Sequence, residues 1–209
     1  MGSSFATQIP SIIHIVQQLK PKSIIDIGKG FGKYGFLIHE YLGIPTNFRI
    51  DPLKKMCDQS SVKIDAVEVD PDLMLPHLLH FYNNIYFKNI NEIYKSLPNY
   101  DLVVMIDIIE HIEMNSAIEI VKHFIDNNSV VLIATPIHFF QQELYESQYE
   151  RHVSHWKLED FIKIAHTDVQ KYSDGAVYLL SKNKLDIIGW GSHPIKKIKR
   201  IFRAIINEL

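Results

Sequence analysis

Residues 23–35 read SIIDIGKGFGKYG, and this stretch decides the fold. Its first half is rich in isoleucine, which is typical of a short strand buried on both faces of a sheet. Its second half places Gly28, Gly30 and Gly32 on alternate residues, where bare backbone can take positive φ angles and lie close to a ligand. Residues 33–42 follow as a predicted helix whose first free N–H groups point back at that ligand.

Two classes of ligand compete for this glycine-rich loop. Gly30-x-Gly32-x-x-Gly35 satisfies the dinucleotide pattern. Asp26, however, ends the strand two residues before Gly28, and a carboxylate there would face a pyrophosphate with like charge. A cationic ligand suits the position better, and S-adenosylmethionine (SAM) carries an ammonium, a sulfonium and no phosphate.

The loop resembles the first motif of the class I SAM-dependent methyltransferases, an acidic residue followed by Gly-x-Gly-x-Gly. Residues 26–32, DIGKGFG, match that motif position by position. The resemblance implies a Rossmann-like fold, SAM as the methyl donor, and a donor site that contains Asp26, Gly28, Lys29, Gly30 and Gly32.

The composition is that of a globular protein, with 46% apolar and 22% charged residues in a chain of 209. A net charge of −2 gives no argument for nucleic-acid binding, and the Asn-Pro-Pro-Tyr type of base-methylating motif is absent. Cys57 is the single cysteine, which excludes a disulfide framework and a cysteine-based zinc site. Without a transmembrane-length apolar run or a signal peptide, we expect a cytoplasmic protein.

Beyond the first strand, the chain alternates predicted strands and helices. Strands are predicted at residues 63–70, 84–89, 101–107 and 129–136, and helices at residues 7–20, 72–81, 115–126 and 158–165. This alternation predicts a parallel sheet with helices on both faces. Residues 167–172 and 175–182 read as an antiparallel hairpin. The predicted fold class is therefore α/β: a doubly wound, mostly parallel, seven-stranded sheet that ends in this hairpin.

We expect a single SAM-dependent methyltransferase domain at residues 1–190. Within it, residues 43–61 carry glycine, prolines and polar residues without a period and are predicted to be an insertion. Residues 137–157 are a long, aromatic-rich connection, predicted to be the substrate loop. Residues 191–209 form a predicted basic amphipathic helix that would pack on the core, or else lie on a membrane surface or a partner.

Polar residues follow the second and third strands. In doubly wound sheets an acid at such a strand end faces the ligand crevice and can accept both ribose hydroxyls. Glu68 and Asp70 are rivals for this role, and the family resemblance favours Glu68, with Val69 beside it. The family also has an Asp or Asn after the third strand that contacts the adenine amino group, a position that Asn89 and Ile90 occupy here.

Residues 101–111, DLVVMIDIIEH, resemble the fourth motif of the family, which ends beside the donor methyl group. This places Asp107 in the donor site. Asp107, Glu110 and His111 also share one helical face by spacing, and some quinone-precursor O-methyltransferases with a similar triad use a divalent cation, as a hard ion such as Mg²⁺ would suit. Most relatives use none, so we predict no metal and keep this triad as the alternative, beside a purely structural role.

Residues 149–156, YERHVSHW, resemble a narrower set of bacterial and phage-like methyltransferases with the pattern Tyr-Glu-x-His-x-Ser-x-Trp. Histidine titrates near neutrality, as a general base must. His111 is the first candidate for the base because the fourth strand fixes it, His152 is the second because Glu150 could orient it, and His155 is the third.

The predicted function is transfer of a methyl group from SAM to a small-molecule acceptor, and the expected acceptor atom is an oxygen of a sugar or glycan precursor or of a metabolite. A non-catalytic SAM-binding partner subunit is one alternative. A nicotinamide-dependent dehydrogenase is the other, and Asp26 together with residues 107–111 disfavours it.

Overall fold

The computed structural model describes residues 5–43, 51, 54–138 and 148–190. One seven-stranded sheet has the spatial order β3-β2-β1-β4-β5-β7-β6. The strands are β1 Ser23–Ile27, β2 Lys63–Glu68, β3 Asn84–Phe87, β4 Leu102–Ile106, β5 Val130–Pro136, β6 His166–Lys171 and β7 Gly175–Ser181. Strands β1 to β5 pair in parallel, whereas β7 pairs antiparallel with β5 and β6. The predicted mostly parallel sheet with an antiparallel end is confirmed.

Helices cover both faces of the sheet. The described α-helices are α1 Ile9–Leu19, α2 Lys33–Ile38, α3 Met56–Gln59, α4 Ile90–Ile93, α5 Met114–Asp126 and α6 Leu158–Ile162. Successive residues of a strand point to opposite faces. Ile24 of β1 therefore packs in the core that includes α1 and α2, while Ile25 packs in the core that includes α5 and α6. No helix in these described parts of the chain is long and apolar enough to cross a membrane.

The order of the strands positions the site. β1 lies at the centre between β2 and β4, and the chain leaves it toward opposite sides of the sheet. In such sheets, the crevice beyond the carboxyl ends of the strands at this switch point binds the ligand. Gly28, Val69 and Asp107 are the residues that follow β1, β2 and β4 near that crevice.

The predicted helix at residues 72–81 is wrong. The segment instead forms two 3₁₀ turns, Pro71–Leu73 and Pro76–His80. Proline removes a backbone donor and forces the residue before it out of the helical region. Leu75 accordingly has φ −92° and ψ 139°, which separates the two turns.

Smaller differences concern element ends. The helix predicted at 33–42 changes after Ile38 into a π-helical turn, His39–Gly43. The third strand ends at Phe87, and α4, which was not predicted, begins at Ile90. The expected insertion at 43–61 contains α3, but residues 44–50 and 52–53 lie outside the described residues. The same holds for residues 139–147 of the predicted substrate loop and for the predicted tail helix at 191–209.

Candidate donor and active site

The glycine-rich loop between β1 and α2 takes a conformation that depends on its glycines. Gly28, Gly30 and Gly32 have φ angles of 73°, 51° and 79°, which residues other than glycine rarely adopt. A side chain at Gly28 would also collide with Ile108, and one at Gly32 would collide with Leu78. The alternate glycines therefore let the loop turn sharply over the ends of the strands and stay close to its neighbours.

Two adjoining cavities open beyond the carboxyl ends of β1, β2 and β4. The first is lined by the glycine-rich loop and by acidic side chains, and it reaches His111, Tyr149 and Glu150. The second reaches Asn89 and Ile90. Between them, the two cavities are lined by every predicted donor-site residue except Gly32, namely Asp26, Gly28, Lys29, Gly30, Glu68, Val69, Asn89, Ile90 and Asp107.

Glu68 lies at the junction of the two cavities. Its Oε2 accepts a hydrogen bond from Gly30 N at 3.2 Å, and its Oε1 accepts from Val69 N at 2.9 Å and Asp70 N at 3.1 Å. Three backbone donors therefore hold the carboxylate in one orientation against the glycine-rich loop. Asp70, its rival, instead caps the following turn by accepting from Asp72 N at 3.0 Å.

Asp26 is buried directly beneath the loop, where only 2% of its surface is exposed. Burial raises the pKa of its carboxyl to about 6, and the charge of Glu68 adds to this rise. A hydrogen bond from Tyr82, whose Oη donates to Asp26 Oδ2 at 2.6 Å, and the charge of Lys29 act in the opposite direction. Lys29 is itself buried and donates from Nζ to the carbonyl of Leu73 at 2.9 Å.

Asn89 has a structural role as well as a place in the second cavity. Its side-chain oxygen accepts from Asn91 N at 3.0 Å and so caps α4. Ile90 is almost fully buried beside it. The cap fixes the position of both residues at the edge of the cavity.

Two acids follow β4 in a buried setting. Asp107 has φ 51°, and neither of its carboxylate oxygens receives a hydrogen bond from the described residues. Burial raises its pKa to about 6, opposed by the charge of Lys33. Glu110 accepts from Thr135 Oγ1 at 3.0 Å through Oε2, while its buried Oε1 has no partner in the described part of the chain. Burial, and then the charge of Asp107, raise the pKa of Glu110 to about 8.

The predicted helical face shared by Asp107, Glu110 and His111 does not form. Asp107 is in a left-handed conformation, and only Ile109–His111 are helical, as a short 3₁₀ turn. The turn instead brings Glu110 and His111 to His152, so that one ligand atom from each of these three lies within 4.8 Å of the others. The cluster combines two imidazoles with a carboxylate, a donor set that suits a divalent cation.

The two histidines of this cluster touch each other. Their rings lie 4.8 Å apart in an edge-to-face arrangement. His111 Nδ1 lies 3.1 Å from the carbonyl oxygen of Arg151, which can only accept, so Nδ1 carries the proton and Nε2 keeps its lone pair. Burial lowers the pKa of His111, which keeps the ring neutral at neutral pH.

Backbone hydrogen bonds hold the end of the predicted substrate loop on this turn. Val153 N and Ser154 N both donate to the carbonyl of Glu110, at 2.8 and 3.1 Å. Ser154 Oγ donates to the carbonyl of Ile109 at 3.1 Å and accepts from Trp156 Nε1 at 2.8 Å. Trp156 is buried and stacks on Phe161. His152 is therefore carried to the cluster, whereas His155 lines neither cavity.

Several residues of the site were not predicted from the sequence. Tyr149 lines both cavities, and Lys33 lines the first. Tyr82 and Thr135 fix the carboxylates of Asp26 and Glu110. Tyr149 belongs to the YERHVSHW stretch, which was a usable signal, but the contacts of Tyr82 and Thr135 join segments distant in sequence and have no local pattern.

No protein-family model matches the sequence, and no curated protein resembles it significantly in sequence. Solved structures do resemble it in fold. The structure of monomeric WbdD matches with a TM-score of 0.61 and 13% identity over 91% of this chain, which spans only 45% of that chain. A Staphylococcus aureus protein assigned as a caffeoyl-CoA O-methyltransferase matches with a TM-score of 0.56 and 12% identity, over 86% of this chain and 85% of the other.

The methyltransferase domain of a bacterial Hen1 protein matches as well, with a TM-score of 0.54 and 18% identity, over 85% of this chain and all of that domain, 100%. At such low identities the likeness extends to the fold alone. Together with the strand order and the glycine-rich loop, it leads to one conclusion: the chain has the Rossmann-like fold of the SAM-dependent methyltransferases.

Proposed function

We propose that the chain binds SAM in the two adjoining cavities and transfers its methyl group to an oxygen of a small-molecule acceptor. The observation that carries this proposal is the convergence of Asp26, the alternating glycines, Glu68 and Asn89 on one crevice at the switch point of the sheet. One acid at the loop and one at the end of β2 match a ligand with a cationic end and a ribose.

In the proposed pose, the methionine part of SAM lies against the glycine-rich loop, and its ammonium pairs with Asp26. A ribose hydroxyl donates to Glu68, whose carboxylate has about four lone-pair sites, uses three of them on backbone donors and so keeps about one for the ligand. The adenine occupies the second cavity beside Asn89 and Ile90. The sulfonium then lies toward Asp107 and His111, at the far side of the first cavity.

Methyl transfer is an in-line displacement in which the acceptor oxygen forms a bond to carbon while the bond from carbon to sulfur breaks. S-adenosylhomocysteine (SAH) leaves as a neutral thioether, and the acceptor proton goes to a base. Because the sulfonium is already activated, the main task of the protein is to align the two reactants, which can supply several kcal/mol, up to roughly 7–11 in ideal cases.

His111 is our candidate for the base, with His152 second and His155 third. His111 lines the first cavity, is held by the carbonyl of Arg151, and presents the lone pair of Nε2. We expect His111→Ala or His152→Ala to lower turnover by roughly 10²–10⁴-fold, the range for a lost general base, with SAM affinity nearly unchanged. His166→Ala, on the β6 edge strand, is the matched control. Near-wild-type kinetics for both site variants across pH would remove His111 and His152 as the base.

The cluster of Glu110, His111 and His152 supports a second chemistry. A divalent cation bound there would satisfy the buried Glu110 Oε1 and could polarise the acceptor hydroxyl. Dialysis against a chelator distinguishes the two. If turnover stops and returns when Mg²⁺ or Mn²⁺ is added, these three residues are cation ligands, whereas unchanged turnover supports the metal-free base.

Donor binding is the first property to measure. We expect calorimetry to show that wild type binds SAM and SAH, and that Gly30→Val abolishes this binding, since valine is strained at φ 51° and would occupy the space of the ligand. Gly189→Val is the matched control, because Gly189 also has a positive φ but nothing within 4 Å of an added Cβ. Binding of NAD in place of SAM and SAH would contradict the proposal and favour a dehydrogenase.

For the acceptor, we propose a hydroxyl of a sugar or glycan precursor or of a small metabolite. The names of several structural neighbours as O-methyltransferases support oxygen as the acceptor atom. Transfer of a labelled methyl group from SAM to a panel of sugar nucleotides and phenolic or hydroxylated metabolites tests this. Tight SAM binding without transfer of the methyl group to any compound of the panel would favour the non-catalytic partner subunit.

A further inference from the structure

Tyr82 approaches the donor site from outside the glycine-rich loop. It follows the 3₁₀ turn Pro76–His80, and only 3% of its surface is exposed. Its hydroxyl donates to Asp26 Oδ2 at 2.6 Å, a short hydrogen bond between two buried groups. Because this bond occupies Oδ2, Oδ1 is the oxygen left for a cation in the first cavity, which Asp26 lines.

Gly35 makes room for Tyr82. A Cβ on Gly35 would lie 2.6 Å from Tyr82 Cζ and 2.7 Å from its Oη, closer than real carbon contacts allow. Gly35 lies inside α2, where the backbone does not need a positive φ and glycine destabilises a helix relative to alanine. Its presence is therefore explained by the ring of Tyr82 and not by the conformation of the loop.

The surroundings of Asp26 make this contact consequential. Glu68 and Lys29 are the other charged groups that shift the pKa of Asp26: the charge of Glu68 raises it, and the charge of Lys29 lowers it. Burial disfavours the carboxylate, and the hydrogen bond from Tyr82 favours it. Without the hydroxyl, Asp26 would be both less firmly oriented and harder to ionise.

We propose that Tyr82 is a positioning residue for donor binding, which holds Asp26 Oδ2 so that Oδ1 faces the ammonium of the donor, and that Gly35 is the residue that admits it. This rests on the proposed function, since it takes SAM as the ligand of the cavity. It assigns part of the donor affinity to a residue that does not itself touch the donor.

The test compares Tyr82→Phe with Tyr100→Phe. Tyr100 is a matched control because it is also buried and donates to a buried carboxylate, Asp65 Oδ2, at 2.8 Å, but lies outside both cavities. Calorimetry measures SAH and 5′-methylthioadenosine, which has the same adenosine but no amino-acid part. We expect Tyr82→Phe to weaken SAH binding about tenfold or more and to leave 5′-methylthioadenosine within about twofold, while Tyr100→Phe changes neither.

Two further readouts separate positioning from general stability. In Tyr82→Phe the loss of SAH affinity on acidification should begin at higher pH than in wild type, because the carboxyl of Asp26 has lost a donor that favours its ionised form. Gly35→Ala should reproduce the selective loss of SAH binding. The double variant, with both Gly35→Ala and Tyr82→Phe, should lose less SAH affinity than the product of the two single fold-changes.

Equal weakening of SAH and 5′-methylthioadenosine binding by Tyr82→Phe would overturn the positioning role. A Tyr82→Phe variant that binds SAH as tightly as the Tyr100→Phe variant would overturn it too. Failure of the wild-type protein to bind SAH would instead overturn the proposed function, and the inference with it. The two failures are therefore distinguished by the wild-type titration alone.

Discussion

At the scale of single residues, Asp26 couples donor binding to pH. Burial raises its pKa to about 6, and only the ionised carboxylate can pair with an ammonium. An acid with a raised pKa is ionised above that value and becomes neutral as the pH falls through it. We therefore expect SAH affinity to be constant above about pH 7 and to fall about tenfold per pH unit below about 6.

Calorimetric titrations of SAH between pH 5 and 8 check this dependence. Binding of 5′-methylthioadenosine, which lacks the ammonium, should stay level over the same range and serves as the control. An SAH affinity that does not change through pH 6 would mean that Asp26 does not contact the ammonium.

The residues that a local motif fixes could be predicted, and those fixed by distant contacts could not. The alternating glycines and the acids at strand ends follow from the strand–loop–helix pattern, and the structure brings them to one crevice. Tyr82 could not be predicted, because its contact with Asp26 depends on the path of the 3₁₀ turns before it. His152 could be named as a histidine of interest, but its contact with His111 depends on how the loop returns to the sheet.

At the scale of elements, the return of the loop to the Ile109–His111 turn determines where His152 lies. Ser154 is central to that return, because its hydroxyl donates to the carbonyl of Ile109 and accepts from the buried indole of Trp156. We expect Ser154→Ala to lower the free energy of unfolding by about 1–3 kcal/mol, since the indole N–H is left without its partner. Turnover should fall more than SAH affinity, because His152 moves while the donor cavities remain.

Denaturant unfolding and parallel SAH titrations measure the two effects. Ser173→Ala, in the exposed turn between β6 and β7, is the matched control, because among the described residues the hydroxyl of Ser173 bonds only its neighbour Asp174. A Ser154→Ala protein as stable and active as this control would show that the loop is held by its backbone contacts alone.

The type of an element could be predicted where its own residues carry a clear hydrophobic pattern or turn signal. All seven strands were predicted. Buried parallel strands such as β1, β4 and β5 read as continuous apolar runs, whereas β6 and β7 were predicted from the hairpin turn between them. The helix predicted at residues 72–81 does not form because Pro76 interrupts it and begins a separate 3₁₀ turn. The four-residue α4 was missed because it depends on the cap that Asn89 provides and on packing of Ile90, not on any period.

At the scale of the whole molecule, the predicted single domain and its tail remain predictions, and the end of the described chain shows how to test them. Trp190 is 5% exposed in the core that contains α1, and the nearby carbonyl of Ile188 lies 2.6 Å from His14 Nε2. A truncation must therefore keep Trp190. The expected helix beyond it carries apolar and basic residues at helical spacing, which suits packing on a core as well as contact with an anionic surface.

We expect the tail to pack on the domain, because a single basic amphipathic helix binds membranes only weakly. A chain ending at Trp190 should then melt several degrees below the full chain or become less soluble, since apolar surface that the tail covers is exposed to water. Neither form should sediment with vesicles that contain anionic lipid.

The opposite pattern would assign the tail to a membrane surface: vesicle binding by the full chain, none by the truncated chain, and unchanged melting temperature and SAH affinity. A variant with Lys196, Lys197, Lys199, Arg200 and Arg203 changed to Gln separates the two further, because it removes electrostatic attraction to lipid but keeps the apolar side chains.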